Sequence, residues 1–437
     1  MRQLDAARAA IRARTLAREP AMVTALIDDT GLDQAARGRI SARAEALVRR
    51  VRAAARPSMM EAFLAEYGLS TREGVALMCL AEAMLRVPDA ATMDDLVSDK
   101  IAPHDWGAHL GDSGSILVNA STWALMLTGR VLDADAEPGV AASLRGAVRR
   151  LGEPVIRTAV HRAMRQLGAQ FVLGRDIDEA LARAAKLEAR GYRYSYDMLG
   201  EAARTEADAR RHLDDYHRAI ARLAERARPG ALHDNPGISI KLSALHPRFE
   251  TAKRATTLPV LVERTATLAE AAAAAGITFN IDAEEMERLE LTLDVAEAVL
   301  RAPSLAGWEG FGLVVQAYGP RARAVVDWLD ALARTLDRRL TVRLVKGAYW
   351  DAEIKRAQVL GLEGFAVFTR KAHTDVAYLA CARALLARRP RLYPQFATHN
   401  AHTAAATLEF AGDDKSGFEF QRLHGMGEAL HELLRAE

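Results

Sequence analysis

Cations, carboxylates, amides and imidazoles recur in this chain at the ends of short apolar runs. The densest run is Leu340 to Trp350, LTVRLVKGAYW. It alternates like a strand, with Thr341, Arg343, Val345, Gly347 and Tyr349 on one side and Val342, Leu344, Lys346 and Ala348 on the other. A cation, a glycine and an aromatic in step suit one of two arrangements. Either the backbone lets a flat ligand approach closely, or the arginine is locked to a neighbouring carboxylate, as a charge taken out of water requires. Six further runs end in comparable clusters: Asp197 with Glu201, Lys241 with Ser243, Asp282 with Glu284, Gln316 with Tyr318, Thr398-His399-Asn400, and Gln421 through His424. Lys241 or Lys346 could serve a Schiff-base aldolase, and His399 with His424 a metal-dependent one, but that reading explains fewer of the clusters. His104 and His109 flank Asp105 without a metal-ligand spacing, so no metal site is expected.

The elements that must position these residues are strands alternating with helices. Runs at 192–199, 237–242, 277–282, 311–316, 340–350, 392–398 and 418–423 are rich in β-branched and aromatic residues, and Ala-rich stretches of crossover length separate them. This rhythm predicts a parallel α/β architecture. No GxGxxG follows the first strand, so a (β/α)8 TIM-type barrel is expected rather than a dinucleotide-binding sheet. Active sites of such barrels lie on the rim at the C-terminal strand ends, where all seven polar clusters fall.

Before the barrel, residues 1–56 read as a helical arm of two Ala/Arg-rich helices broken near Pro20, with a modest apolar stripe that needs a packing partner. Residues 57–137 read as a helical domain, opened by a capping box at Ser70-Thr71-Arg72-Glu73, and residues 138–437 as the barrel, led by a helix at Leu151–Leu167. Half of the 437 residues are apolar, enough to bury a large core, and Lys plus Arg exceed Asp plus Glu by two, which gives no reason to expect nucleic acid as a partner. Cys79 and Cys381 lie far apart in helical runs and read as buried small apolar residues in a reducing cytoplasm. The N-terminus carries neither the apolar core of a signal peptide nor a spanning helix.

The stretches ISIKLSALHP around Lys241, NIDAEE around Asp282, RLVKGAYW from Arg343, and ATHNAH followed by QRLHGMGE closely resemble the proline dehydrogenase portion of bacterial bifunctional proline utilisation A. The resemblance implies an FAD-dependent oxidation of L-proline to 1-pyrroline-5-carboxylate, the first step of proline catabolism to glutamate. Electrons would pass to a quinone through peripheral contact with the inner face of the membrane. It implies Arg343 beside the flavin ring, Gln316 and Trp350 as flavin contacts, and the Val345-Lys346-Gly347-Ala348 backbone against the ring. Thr369, Arg370 and Lys371 would lie near the cofactor phosphates, with Thr398, His399, Asn400, Gln421 and Glu428 as further contacts. Lys241 would meet the substrate carboxylate, with Asp282, Tyr349 and Leu423 lining the proline pocket and Glu201 pairing with a substrate-binding arginine. Lys241, Asp282, Arg343 and Tyr349 form the implied catalytic set. No general base is assigned.

Two departures from the family stand out. The chain ends at Glu437, after the seventh strand and the start of its helix, so the eighth strand, an Arg-Arg pair that holds the proline carboxylate, and the aldehyde dehydrogenase half are not in it. A fragment or incomplete gene product is expected, with a catalytically incomplete protein of flavin-binding or assembly role as the alternative, and with flavin affinity surviving better than proline affinity. No short strand followed by two helices precedes the arm, so DNA binding is not expected. The arm is expected to join copies of the chain into a homo-oligomer.

Overall fold

The computed structural model describes residues 2–54 and 171–437. The expected domain at 57–137, with the capping box at Ser70, Cys79, His104 and His109, lies outside the described residues, as does the helix at Leu151–Leu167. The chain divides into two compact units, one of Met1–Arg50, Leu181–Arg422 and Leu430–Glu437, the other of Val51–Ala180 and Leu423–Ala429.

Seven strands, β1 (Ser195–Asp197), β2 (Gly237–Ile240), β3 (Thr278–Ile281), β4 (Phe311–Gln316), β5 (Leu340–Val345), β6 (Leu392–Ala397) and β7 (Glu419–Gln421), form one sheet in chain order. Every neighbouring pair is parallel. Helices α1 (Arg2–Arg12), α2 (Glu19–Thr30) and α3 (Gln34–Ala54) make the arm, and α4 (Ile177–Glu188) precedes β1. The crossovers are α5 (Glu206–Ala224), the short α6 (Leu242–Leu245) with α7 (Arg254–Ala274), α8 (Leu289–Leu300), α9 (Ala322–Thr335), α10 (Trp350–Val359) with α11 (Lys371–Leu386), and α12 (Ala401–Ala411); α13 (Glu428–Ala436) follows β7.

Period-two alternation sets the faces. Ile238, Phe279, Ile281, Val342, Leu344 and Phe396 are wholly buried, and the polar residues between them turn the other way, toward the barrel axis. Arg343 on β5 reaches the Ser195 hydroxyl on β1 at 2.9 Å, a contact across the interior that only a sheet curled on itself allows. The fold is that of a (β/α)8 barrel represented by seven of its units; among the described residues β1 and β7 each pair on one side only.

Two expectations are corrected. β5 stops at Val345, five residues short of the run read from the sequence, because Gly347 has φ +137° and turns the chain and Trp350 opens α10. Gly347 and Tyr349 therefore do not continue Arg343's face of the strand. The arm has three helices, not two: Pro20 sits in the first turn of α2, where proline is tolerated, and Gly31 in the left-handed conformation separates α2 from α3.

The arm is laid on its own barrel. α1 packs on α9 and α2 on α11. Arg8 is buried over the Trp328 ring, 5.1 Å from its centroid, and bonded to Asp294 and the Glu290 carbonyl. Leu4, Ile11, Leu26 and Ile40 are buried within the one chain, while Leu16, Ile27 and Val48 remain exposed, so the arm's apolar stripe is covered in part by its own barrel. Glu19, at the start of α2, accepts the Thr369 N–H at 3.0 Å, the Thr369 hydroxyl at 2.8 Å and His373 Nδ1 at 2.5 Å.

Burial opposes ionisation of Glu19, but the hydrogen bonds from His373 and Thr369 outweigh it and hold its pKa below the ordinary carboxylate value. A carboxylate whose pKa falls on folding stabilises the fold above its unfolded pKa and loses that contribution as pH falls toward the folded one. Glu19→Ala should therefore cost about 1–3 kcal/mol at neutral pH. The unfolding midpoint should be lower than wild type at pH 7, with the gap narrowing below the ordinary carboxylate range.

Candidate active site

Two cations occupy the interior at the C-terminal ends of the strands. Arg343 donates from Nη1 to the Ser239 hydroxyl at 2.9 Å and to Asp282 Oδ1 at 3.0 Å, and from Nη2 to the Ser195 hydroxyl at 2.9 Å. Its Nε is buried with no hydrogen-bond partner. Lys241 follows β2 and points the same way. Its ammonium lies 3.0 and 3.1 Å from the two oxygens of Asp197, 3.4 Å from Asp282 Oδ2 and 3.5 Å from Glu201 Oε2. Asp282 thus bridges the two cations, one oxygen to each. Burial alone would lower the Lys241 pKa, but Asp197 and Asp282 reverse this and raise it. An ammonium held this firmly is a charge, not a nucleophile, which counts against the Schiff-base reading.

A second set of hydrogen bonds ties the rim loops together. Ala202 N–H and Ala203 N–H, after β1, donate to the hydroxyl and carbonyl of Ser243 after β2. Ser243 N–H donates to Glu284 Oε1 at 3.0 Å, and Arg288 Nη1 to the other Glu284 oxygen at 2.8 Å. The Glu284 carbonyl accepts Gln316 Nε2 at 2.8 Å, and Gln316 Oε1 accepts the Ala348 N–H at 3.2 Å. Five successive strand ends are linked in this way. Burial raises the Glu284 pKa even though Ser243 and Arg288 favour the anion.

The residues singled out from sequence fall into five groups. Lys241, Asp282, Arg343 and Glu201 converge, with Tyr349 half-buried at the same rim and its phenol pKa raised by burial and by Glu201 and Glu284. Gln316, Val345, Lys346, Gly347, Ala348 and Trp350 line the β4–β5 rim: Lys346 pairs with Asp375 at 2.5 Å, and the Trp350 indole donates to the Phe368 carbonyl at 2.8 Å while its side chain remains exposed. Lys371 shares Asp375 at 2.7 Å, Arg370 is exposed beside it, and Thr369 is engaged by Glu19. Thr398 N–H donates to the Gln421 carbonyl at 3.2 Å, Asn400 caps α12 through the Thr403 N–H, and His399 is exposed. Leu423 and Glu428 belong to the second unit.

Sequence reading missed Asp197 as the principal partner of Lys241, and Ser195 and Ser239 as partners of Arg343. The register of β1 on β2, which sets Asp197 opposite Ser239, is what brings them together. Alternation within the strands could have flagged both serines as facing the arginine's side.

Residues 180–437 match the family model described as proline dehydrogenase. The chain belongs to the proline dehydrogenase family. Residues 5–52 match the N-terminal domain of the proline utilization A proline dehydrogenase, and residues 59–171 a DNA-binding domain of proline dehydrogenase. That last description stands against the expectation of no nucleic-acid partner. The bifunctional protein PutA of Escherichia coli K12 is 51% identical over 347 residues, 79% of this chain and 26% of that protein. Proline dehydrogenase of Deinococcus radiodurans is 28% identical over 290 residues, 65% of this chain and 82% of that protein. A crystal structure of a mutant of Bradyrhizobium japonicum proline utilization A superposes with TM-score 0.72 at 50% identity, covering 97% of this chain and 42% of that one. The chain thus spans about a quarter of the length of the bifunctional relatives it matches.

Space is short at the β5 rim. Gly347 has no room for a side chain, because a methyl group there would overlap the Tyr318 ring, which is buried against Met286 and Val367. Gly347→Ala should displace Tyr318, whose carbonyl holds the Phe368 N–H, at a cost of roughly 1–3 kcal/mol from the strained φ alone. The expected outcome is a lower unfolding midpoint together with weaker cofactor retention; an unchanged midpoint would show that the rim backbone is not under this constraint.

Proposed function

We propose that this chain oxidises L-proline to 1-pyrroline-5-carboxylate on a bound FAD and passes the electrons to a quinone, as the opening step of proline breakdown to glutamate. The observation that carries the reading is the bridged pair of cations, Lys241–Asp282–Arg343, at the open end of a proline dehydrogenase barrel. A flavin dinucleotide fits the residues present. The buried Arg343 Nε has a free donor valence at the ring end, and Arg370 and Lys371 lie at the N-terminal end of the sixteen-residue helix α11, where a helix favours phosphate. Thr369 is already held by Glu19 and Lys371 by Asp375, so Arg370 and the α11 N-terminus are left for the phosphates.

When bound, the flavin supplies a two-electron acceptor for the hydride on the carbon beside the proline nitrogen. The side chains do the rest. Arg343, fixed by Asp282, Ser195 and Ser239, presents a positive charge that needs no reorganisation when negative charge arrives beside it. Lys241 offers its ammonium to the substrate carboxylate. Tyr349, whose raised pKa keeps it a neutral phenol, closes the pocket beside Glu201. The acid partner of the family's arginine pair, Glu201, reaches Lys241 here. An aldehyde dehydrogenase half in the whole protein would take the product onward. Electron delivery to a quinone would occur at a membrane surface; among the described residues no helix is long and apolar enough to cross one.

The visible absorption spectrum of the purified protein tests this. It should show a flavin that bleaches when L-proline is added without oxygen. A flavin that proline leaves oxidised would support cofactor binding without turnover, and protein that takes up no FAD would overturn the reading.

A further inference from the structure

Lys241 is surrounded by more negative charge than it needs. An ammonium has three protons, and two carboxylates take its hydrogen bonds while a third lies at ion-pair distance. Asp197 offers both oxygens, at 3.0 and 3.1 Å. Asp282 offers one at 3.4 Å, because its other oxygen is 3.0 Å from Arg343. Glu201 lies 3.5 Å away as an ion-pair neighbour, its side chain 49% accessible against 45% for Asp197 and 15% for Asp282. With every proton claimed, an incoming carboxylate can bind Lys241 only by displacing one of these partners.

Topology assigns the roles. Asp197 ends β1 opposite Ser239 on β2, so Lys241, two residues beyond Ser239, lies diagonally across from it on the same face of the sheet. Only 14% of the lysine side chain is accessible, so its head group is steered by the carboxylates beside it. Without Asp197 the nearest remaining partner is Asp282, and a lysine drawn to that side would compete with Arg343 for one carboxylate. Glu201, in the loop after β1, has the longest contact of the three.

We propose that Asp197 is a positioning residue that anchors Lys241 on the β1 side of the rim, reserving Asp282 for Arg343. The proposal rests on the reading of this rim as a proline site. It makes a prediction opposite in sign to simple charge bookkeeping. Deleting an anion next to a carboxylate-binding lysine should, by Coulomb's law alone, tighten the binding of an anion. Loss of an anchor should weaken it.

The test uses the whole chain with its flavin, as wild type, Asp197→Asn and Asp197→Glu. Calorimetric titration with tetrahydrofuran-2-carboxylate, a ring carboxylate that lacks the oxidisable amine, reads binding apart from turnover. Steady-state oxidation of L-proline then separates KM from kcat. Asp197→Asn should weaken the ring carboxylate and raise KM by about tenfold or more, as expected when a charged hydrogen bond is lost, with kcat changed far less. Asp197→Glu, which keeps the charge on a longer arm, should recover part of the loss, and its measurement stands even if the Asn variant does not fold. Unchanged or tighter binding in both variants, alongside normal wild-type binding, overturns the proposal alone. A wild type that binds no ring carboxylate and whose flavin proline does not reduce overturns the proline reading and the proposal with it.

Discussion

Two positive charges drawn into the inside of a barrel have to be matched by negative ones, and the rest of the site follows from that. Arg343 and Lys241 are each largely covered, with 13% and 14% of their side chains accessible. Leaving either unpaired there would cost several kcal/mol, on the order of the stability of a whole domain. Asp282 serves both, so its position fixes the distance between them. Ser195 and Ser239 then complete the arginine, and Asp197 completes the lysine. The carboxylates are what keep the two cations in place at the rim.

The loops around the site are held by directed hydrogen bonds that run through backbone groups, an amide and the Glu284 carboxylate paired with Arg288. Glu284 and Gln316 join the ends of β2, β3, β4 and β5 with directed hydrogen bonds, so that a shift in one loop is transmitted to the next. The arm adds a clasp from outside, where Glu19 secures the segment that leads into α11. In this way a helix near residue 20 supports groups 350 residues away in the chain, a role that its Ala- and Arg-rich composition does not suggest.

Much of this was legible beforehand because β-strands and helices leave periodic traces. The seven strand centres, the parallel order and the polar rim follow from alternation and spacing, and Asp282, Lys241 and Arg343 were nominated from their places at strand ends. What the sequence did not disclose depended on where chain segments meet. Asp197 is 44 residues from Lys241, and its partnership exists only once β1 and β2 pair in register. The true end of β5 is set by the backbone torsion of Gly347, which alternation of residue types cannot reveal. The arm's partner could not be chosen from its own stripe, since any apolar surface would satisfy it; the outer helices α9 and α11 turn out to provide it.

The most direct test of the central claim, that Arg343 is held as a fixed cation for the redox step, is the midpoint potential of the bound flavin in wild type and in Arg343→Met. Loss of the cation should shift the potential negative by roughly 30 mV or more, which for two electrons is about 1.4 kcal/mol. A variant that retains its flavin with an unchanged or more positive potential would contradict the claim.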